Sequence, residues 1–167
     1  LALQGDDKIL VGGTFTKIND ENIHNLARLN LDGTLDKSFV PVENGVGSVR
    51  QLEITADNNV YIVSSLILEG YYNEGLHVLN TDGSYVKTLY PGSVRNFAVL
   101  NDQVIIHYFG YAISINLNTE KAENFIKGIG PDQYHTIVTT KNGNVLVSGL
   151  FRDPNGYYST LKSYLPN

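Results

Sequence analysis

Leu1-Ala2-Leu3-Gln4-Gly5-Asp6-Asp7-Lys8-Ile9-Leu10-Val11-Gly12-Gly13-Thr14-Phe15 opens the chain, and its plan is an apolar alternation, a polar turn and a β-rich apolar run. The same plan returns at 51–66, 96–109 and 136–151. Aligning the first apolar residue after each turn matches Ile9, Val60, Val104 and Val145, with spacings of 51, 44 and 41 residues. A unit of roughly 40 to 50 residues that carries four short strands is the sequence signature of a propeller blade. Helical solenoids are excluded, because no stretch keeps a 3.6-residue apolar period. A β-sandwich also accommodates evenly spaced short strands. The fixed order of turn types at a fixed period favours the propeller.

The second unit shows the plan in full: strand a over 49–55, a turn at Asp57-Asn58-Asn59, strand b over 60–66 and strand c over 76–80. Asp82-Gly83 then reads as a two-residue hairpin turn leading into strand d over 85–90. In the first unit strands b, c and d fall at 9–15, 26–31 and 35–40, around Asp32-Gly33. The fourth unit has Asn142-Gly143 at its first turn, whereas the third replaces the Asp-Gly hairpin with Asn118-Thr119-Glu120. Strand b is nearly continuously apolar, as a strand covered on both faces should be. The expected architecture is therefore all-β: a β-propeller domain with about four four-stranded blades at 1–46, 47–91, 92–131 and 132–167. The chain enters at strand a and stops at strand c of the fourth unit. That reading makes it part of a larger ring, such as a seven-bladed one, with an upstream portion in the parent protein.

Within Leu1–Phe39 the residues resemble the delta-60 repeat. They carry that family's apolar strand and "DGKILVGG-F" segment at Asp6 to Phe15. Its "LARLN-DG-LD-SF" segment falls at Leu26-Ala27-Arg28-Leu29-Asn30-Leu31-Asp32-Gly33-Thr34-Leu35-Asp36-Lys37-Ser38-Phe39. The likeness is good over 49–85, fair over 145–151 and weak in the third unit. Gly12-Gly13 becomes Val63-Ser64, His107-Tyr108 and Ser148-Gly149 in the later units. Strand glycine permits close approach of a neighbour, so the third unit is expected to pack differently. The resemblance implies a propeller of secreted or surface-exposed bacterial or phage proteins, without an established catalytic activity.

Composition narrows the partners. With 12 Lys and Arg against 17 Asp and Glu, the net charge is −5, which argues against a nucleic-acid partner. The chain has no cysteine, so disulfides and thiolate metal sites are excluded. No apolar run approaches the roughly 20 residues of a membrane-spanning helix, and no signal peptide is visible.

Alignment of the strand-a starts places Arg50, Arg95 and His135 at one station, close to a channel mouth. There they would form an anion site or pair with neighbouring carboxylates. Tyr71-Tyr72 and Tyr157-Tyr158 fall in equivalent b–c loops beside Gly70, Gly75 and Gly156. Exposed there, they suit sugar or protein recognition; packed against a neighbouring blade, they are structural. The acidic, amide-rich segment 19–25 fits no EF-hand spacing, and no cofactor, metal site or catalytic triad is expected. Two functions remain. One is a non-catalytic scaffold on a secreted, cell-surface or virion protein, contacting protein or glycan through its loops. The other is a polysaccharide lyase or hydrolase working at the channel mouth.

Overall fold

The computed structural model describes residues 1–5, 7–42, 45–108, 111–126, 134–140, 142–153 and 156–164, with backbone alone at 124–126, 134–135, 150–153 and 156–164. Fourteen strands, and no helix among the described residues, form four antiparallel sheets in which neighbours in sequence are neighbours in space. Sheet 1 holds β1 (Ala2–Gln4), β2 (Lys8–Gly12) and β3 (Leu26–Leu29). Sheet 2 holds β4 (Gln51–Ile54), β5 (Val60–Leu68), β6 (Tyr71–Leu79) and β7 (Tyr85–Pro91). Sheet 3 holds β8 (Asn96–Leu100), β9 (Gln103–Tyr108), β10 (Tyr111–Asn116) and β11 (Ala122–Ile126). Sheet 4 holds β12 (Tyr134–Thr139), β13 (Val145–Asp153) and β14 (Gly156–Tyr164).

The register repeats from sheet to sheet. Leu3 faces Ile9, Ile54 faces Val60, Val99 faces Val104 and Thr139 faces Val145. On the other side, these four strand-b residues face Leu29, Leu79, Ile115 and Tyr164. The four residues aligned by spacing therefore occupy one structural station. With strand b buried on both faces, the short turns between strands, rather than an apolar-polar alternation, set this register.

The turns follow a common chemistry. After strand a the chain passes through the left-handed region at Asp7, Asn58, Asn101 and Gly143, conformations that Asn, Asp and Gly tolerate best. The Asp-Gly hairpin differs from the expected two-residue turn. Asn80 N–H donates to the Ser84 carbonyl (2.8 Å) and Gly83 N–H to the Asn80 carbonyl (2.9 Å). The loop is therefore three residues, Thr81-Asp82-Gly83, with Gly83 at φ +93°. Asp82 accepts from the N–H and hydroxyl of Ser84, and Asp32 does the same with Thr34. Those hydrogen bonds, the Thr34 and Ser84 hydroxyls first, hold both carboxyls below the usual carboxylate range.

Strand d of the first sheet is the main departure from expectation. Where a strand was expected over 35–40, the pairing ends at a single bridge between Leu29 and Leu35. Asp36 then folds back: its Oδ1 accepts from Ser38 N (3.0 Å) and Ser38 Oγ (2.6 Å), and Phe39 N donates to the Asp36 carbonyl. This side-chain turn outcompetes the sheet ladder and sends Phe39 into the core.

Two compact units contain these sheets, residues 1–93 and 94–167. In the first, Leu10 and Leu26 of sheet 1, with Phe39, Val42, Val46 and Val49 of the connecting stretch, pack against Val60, Ile62, Leu66 and Leu79 of sheet 2. Each fully buried aliphatic side chain contributes roughly 1.5–3 kcal/mol of hydrophobic stabilisation. Gly12 lies at this seam. A Cβ there would stand 2.6 Å from Leu52 Cδ2 and 2.7 Å from Val49 Cγ1, closer than atoms pack. In the second unit Ala98, Leu100, Ile105 and Ala112 of sheet 3 pack with Ile137, Val145 and Val147 of sheet 4. There the Gly12 station is His107, fully buried.

Candidate functional site

Tyr71 and Tyr72 stand at the tip of the β5–β6 hairpin. Glu69 (φ 51°) and Gly70 (φ 83°) make its two-residue turn, both in the left-handed conformation that matches strand twist. The two tyrosines are therefore the first residues of β6, paired with Leu68 and Ile67, and lie in a strand where a loop was expected. Gly75, taken from sequence as a second loop glycine, lies inside the same strand. A Cβ there would collide with the Tyr90 carbonyl oxygen of β7. Nine-residue β5 and β6 push the tip into solvent, leaving Tyr71 76% and Tyr72 80% exposed. Asn73 Nδ2 donates to the Tyr71 carbonyl (2.9 Å) and steadies the strand. Below Tyr71 an open groove of about 970 Å³ runs between Val40, Val42, Ile67 and Leu68, with Glu69, Asn73 and Tyr85 on its walls.

In sheet 4 the backbone of Tyr157 pairs with Arg152 and that of Tyr158 with Phe151. Tyr157 thus takes the register position of Tyr72, each facing the eighth residue of strand b. Both belong to β14 rather than to a loop, and their side chains lie outside the described residues.

The strand-a starts are equivalent in backbone terms. Arg50 N–H donates to the Val63 carbonyl and Arg95 N–H to the His107 carbonyl, each at 2.9 Å, and Val63 and His107 occupy the same station of strand b. Arg50 belongs to the first unit and Arg95 to the second. The Arg50 guanidinium meets Glu74 Oε1 at 2.7 Å, both about half exposed. His135 sits where the β12–β13 pairing shifts register, and its side chain lies outside the described residues.

The segment 19–25 is engaged within its own unit. Asn25 accepts from Phe15 N and donates to the Val46 carbonyl, Asn19 donates to the Gly33 carbonyl, and Glu21 pairs with Lys37 at 2.6 Å. Among the described residues no group of three or more His, Asp or Glu side chains could hold a metal ion.

Sequence reasoning missed a buried polar cluster centred on Arg28. Its Nε meets Asp36 Oδ2 (2.9 Å), one terminal nitrogen donates to Gln4 Oε1 (2.9 Å) and the Thr81 carbonyl (2.7 Å), and the other to Ser38 Oγ (3.1 Å). The guanidinium also lies 5.1 Å from the Phe39 ring centre, a cation–π distance. Lys8 Nζ adds a second cation 3.2 Å from Asp36 Oδ2. Gln4 Nε2 reaches the Asn58 and Thr81 carbonyls, so the cluster ties sheet 1 to two turns of sheet 2. Hydrogen bonding from Ser38, hydroxyl first and then N–H, together with Lys8 and Arg28 holds Asp36 well below the usual carboxylate range. Each of the three guanidinium nitrogens of Arg28 donates to protein, so the cluster is a fastening between sheets. The lone arginine in an apolar strand c was the available signal.

His77 is fully buried, with Nδ1 3.0 Å from Thr88 Oγ1 and Nε2 3.2 Å from the Ser64 carbonyl, and burial lowers its pKa. His107, also buried, is pushed down to about 4 by burial and by the Arg95 charge.

Up-and-down antiparallel sheets repeating on one register make this an all-β chain of the propeller type. A family profile described as "Domain of unknown function (DUF5122) beta-propeller" matches residues 4–39, the stretch that contains the Arg28 cluster's Gln4, Lys8, Asp36 and Ser38. That match supports a propeller-type repeat family. No curated protein matches the chain. Among solved structures, the chain is similar to the extracellular domain of a putative one-component system from B. thetaiotaomicron. That likeness has 17% identity and a TM-score of 0.40 over 74% of this chain and 23% of that one. A putative hybrid two-component system from the same organism gives 16%, 0.40, 79% and 23%. A structure from a study of two prolyl endopeptidases gives 15%, 0.41, 75% and 21%. The chain thus spans less than a quarter of the length of each.

Proposed function

We propose that the chain is a non-catalytic β-propeller scaffold of the delta-60 type on a secreted, cell-surface or virion protein, binding glycan or protein through its b–c hairpin tips. The observation that carries this reading is the Tyr71-Tyr72 tip. Two neighbouring aromatic rings are each about four-fifths exposed on opposite faces of the strand, and Tyr71 lines an open groove with Glu69, Asp82 and Asn73 on its wall. Leaving such rings in water forgoes burial energy, whereas a sugar face or an apolar side chain laid on them recovers it. The residue likeness of 1–39 to delta-60 repeats supports the extracellular or virion setting. Arg50, held by Glu74, is left out of the proposed contact.

A glycan array probed with the labelled protein tests the reading. The expected result is retention on a subset of glycans, lost at least about tenfold, the equivalent of one stacking contact of roughly 1.4 kcal/mol, in Tyr71→Ala/Tyr72→Ala. Retention unchanged by that double substitution would contradict the proposed contact. Release of shortened oligosaccharides from the array would establish the lyase or hydrolase reading instead.

A further inference from the structure

The groove below Tyr71 is long, and its charge is one-sided. Tyr71 is the first residue of β6, and Tyr85 of β7 pairs with the last, Leu79. Side chains alternate along a strand, so positions 71, 73 and 79 share one face of β6, and Tyr85, opposite Leu79, stands on that face too. Tyr71, Asn73 and Tyr85 all line the groove. Eight steps of about 3.3 Å separate its two tyrosines, a span of roughly 26 Å that an extended peptide covers in about eight residues. Val40, Val42 and Leu68 supply aliphatic wall between them, with Val40 64% exposed.

Glu69 lies at the Tyr71 end and Asp82 at the Tyr85 end, and no lysine or arginine is among the described residues that line the groove. Glu69 is exposed and takes part in none of the ion pairs of the described residues. Asp82 accepts from Ser84 through Oδ1 alone. Arg28, the cation that acts on Asp82, is held by Asp36 and does not line the groove. Resting on the binding role given to Tyr71 above, we infer that the occupant is an extended segment of a partner protein, with aliphatic side chains along its middle and a Lys or Arg at the end that meets Tyr71 and Glu69. A cation set there gains from the carboxylate and from the tyrosine ring together. A neutral sugar chain would stack on the rings but leave the Glu69 charge unmatched and set its hydroxyls against aliphatic wall. An anionic chain would be repelled at both ends.

An array of eight-residue peptides, probed with the labelled 167-residue protein, tests this. Retained peptides are expected to combine aliphatic residues with Lys or Arg. Their four-residue halves should bind at least about tenfold more weakly, the factor that one lost aliphatic contact carries. Glu69→Gln, which keeps the side chain's length, should weaken the retained peptides about two- to fivefold, the contribution of an exposed charge pair, and most at low salt. Tyr85→Ala, at the far end from the hairpin tip, should weaken them as well. Retention of peptides rich in Asp and Glu, or binding indifferent to Glu69→Gln and to salt, would overturn the inference. Glycans retained with no peptide retained would also overturn it, while leaving the hairpin-tip reading intact. Retention of neither would refute both.

Discussion

Asp36→Asn is predicted to cost about 3 kcal/mol, at the low end of the range for breaking a buried ion pair. Arg28 is 5% and Asp36 9% exposed, so both charges have little access to water. The substitution removes the anion from Arg28 Nε and Lys8 Nζ while Gln4, Ser38 and the Thr81 carbonyl still accept from or face the guanidinium. Those remaining partners keep the cost from the top of the range. For a chain of this size the loss corresponds to a fall in Tm of roughly 6–12 °C. Urea unfolding followed by far-UV circular dichroism measures it, with Arg28→Met and the Asp36→Asn/Arg28→Met double variant closing the cycle. The double variant should lose less than the two singles added together, because it leaves no buried guanidinium without its anion, and Lys8, more exposed, keeps its bond to Asn30. A loss below about 1 kcal/mol for Asp36→Asn, within the range of exposed pairs, would refute the fastening role. The pH dependence has a definite sign. Asp36 is depressed in the folded state, so its contribution is complete above the ordinary carboxylate value near 3.8 and fades as pH falls towards the folded value. The gap between wild type and Asp36→Asn should therefore narrow in acid below about pH 4.

Gly12→Ala forces a methyl group against Leu52 and Val49 and should lower stability by roughly 1–3 kcal/mol, read from the urea midpoint. By contrast Arg50→Ala or Glu74→Ala breaks a half-exposed pair and should cost less than about 1 kcal/mol in the same assay. His107 is held neutral by burial and by Arg95, with its pKa down to about 4 against 6.5 for the free side chain. The unfolded chain therefore binds the extra proton between those values, and stability should decline as pH falls from about 6.5 to 4. In His107→Gln that part of the decline should shrink, as thermal scans across this pH range would show.

How much of this was readable in advance depended on the range of the interactions. The stations Ile9, Val60, Val104 and Val145 were legible because a short polar turn precedes each nearly continuous apolar run, and a hairpin turn fixes the pairing of its flanking strands locally. Strand d at 35–40 looked apolar enough to pair, yet Asp36 and Ser38 form a side-chain turn whose advantage lies in what Asp36 then meets. Arg28 stood out locally as an arginine in an apolar strand, but its partners Gln4 and Thr81 lie 24 and 53 residues away in sequence, so the cluster itself had no local signature. Tyr71 and Tyr72 were assigned to a loop because Gly70 and Gly75 flank them. One glycine serves the turn and the other makes room for the Tyr90 carbonyl, two demands that look alike in sequence.

The claim beneath the rest is that successive repeats share one strand register, with Arg50 and Arg95 at equivalent stations. Through-hydrogen-bond scalar couplings between backbone nitrogen and carbonyl carbon test it directly. Arg50 N should couple to the Val63 carbonyl carbon and Arg95 N to that of His107. Finding Arg95 coupled to a carbonyl outside β9, or Arg50 to one outside β5, would contradict the shared register.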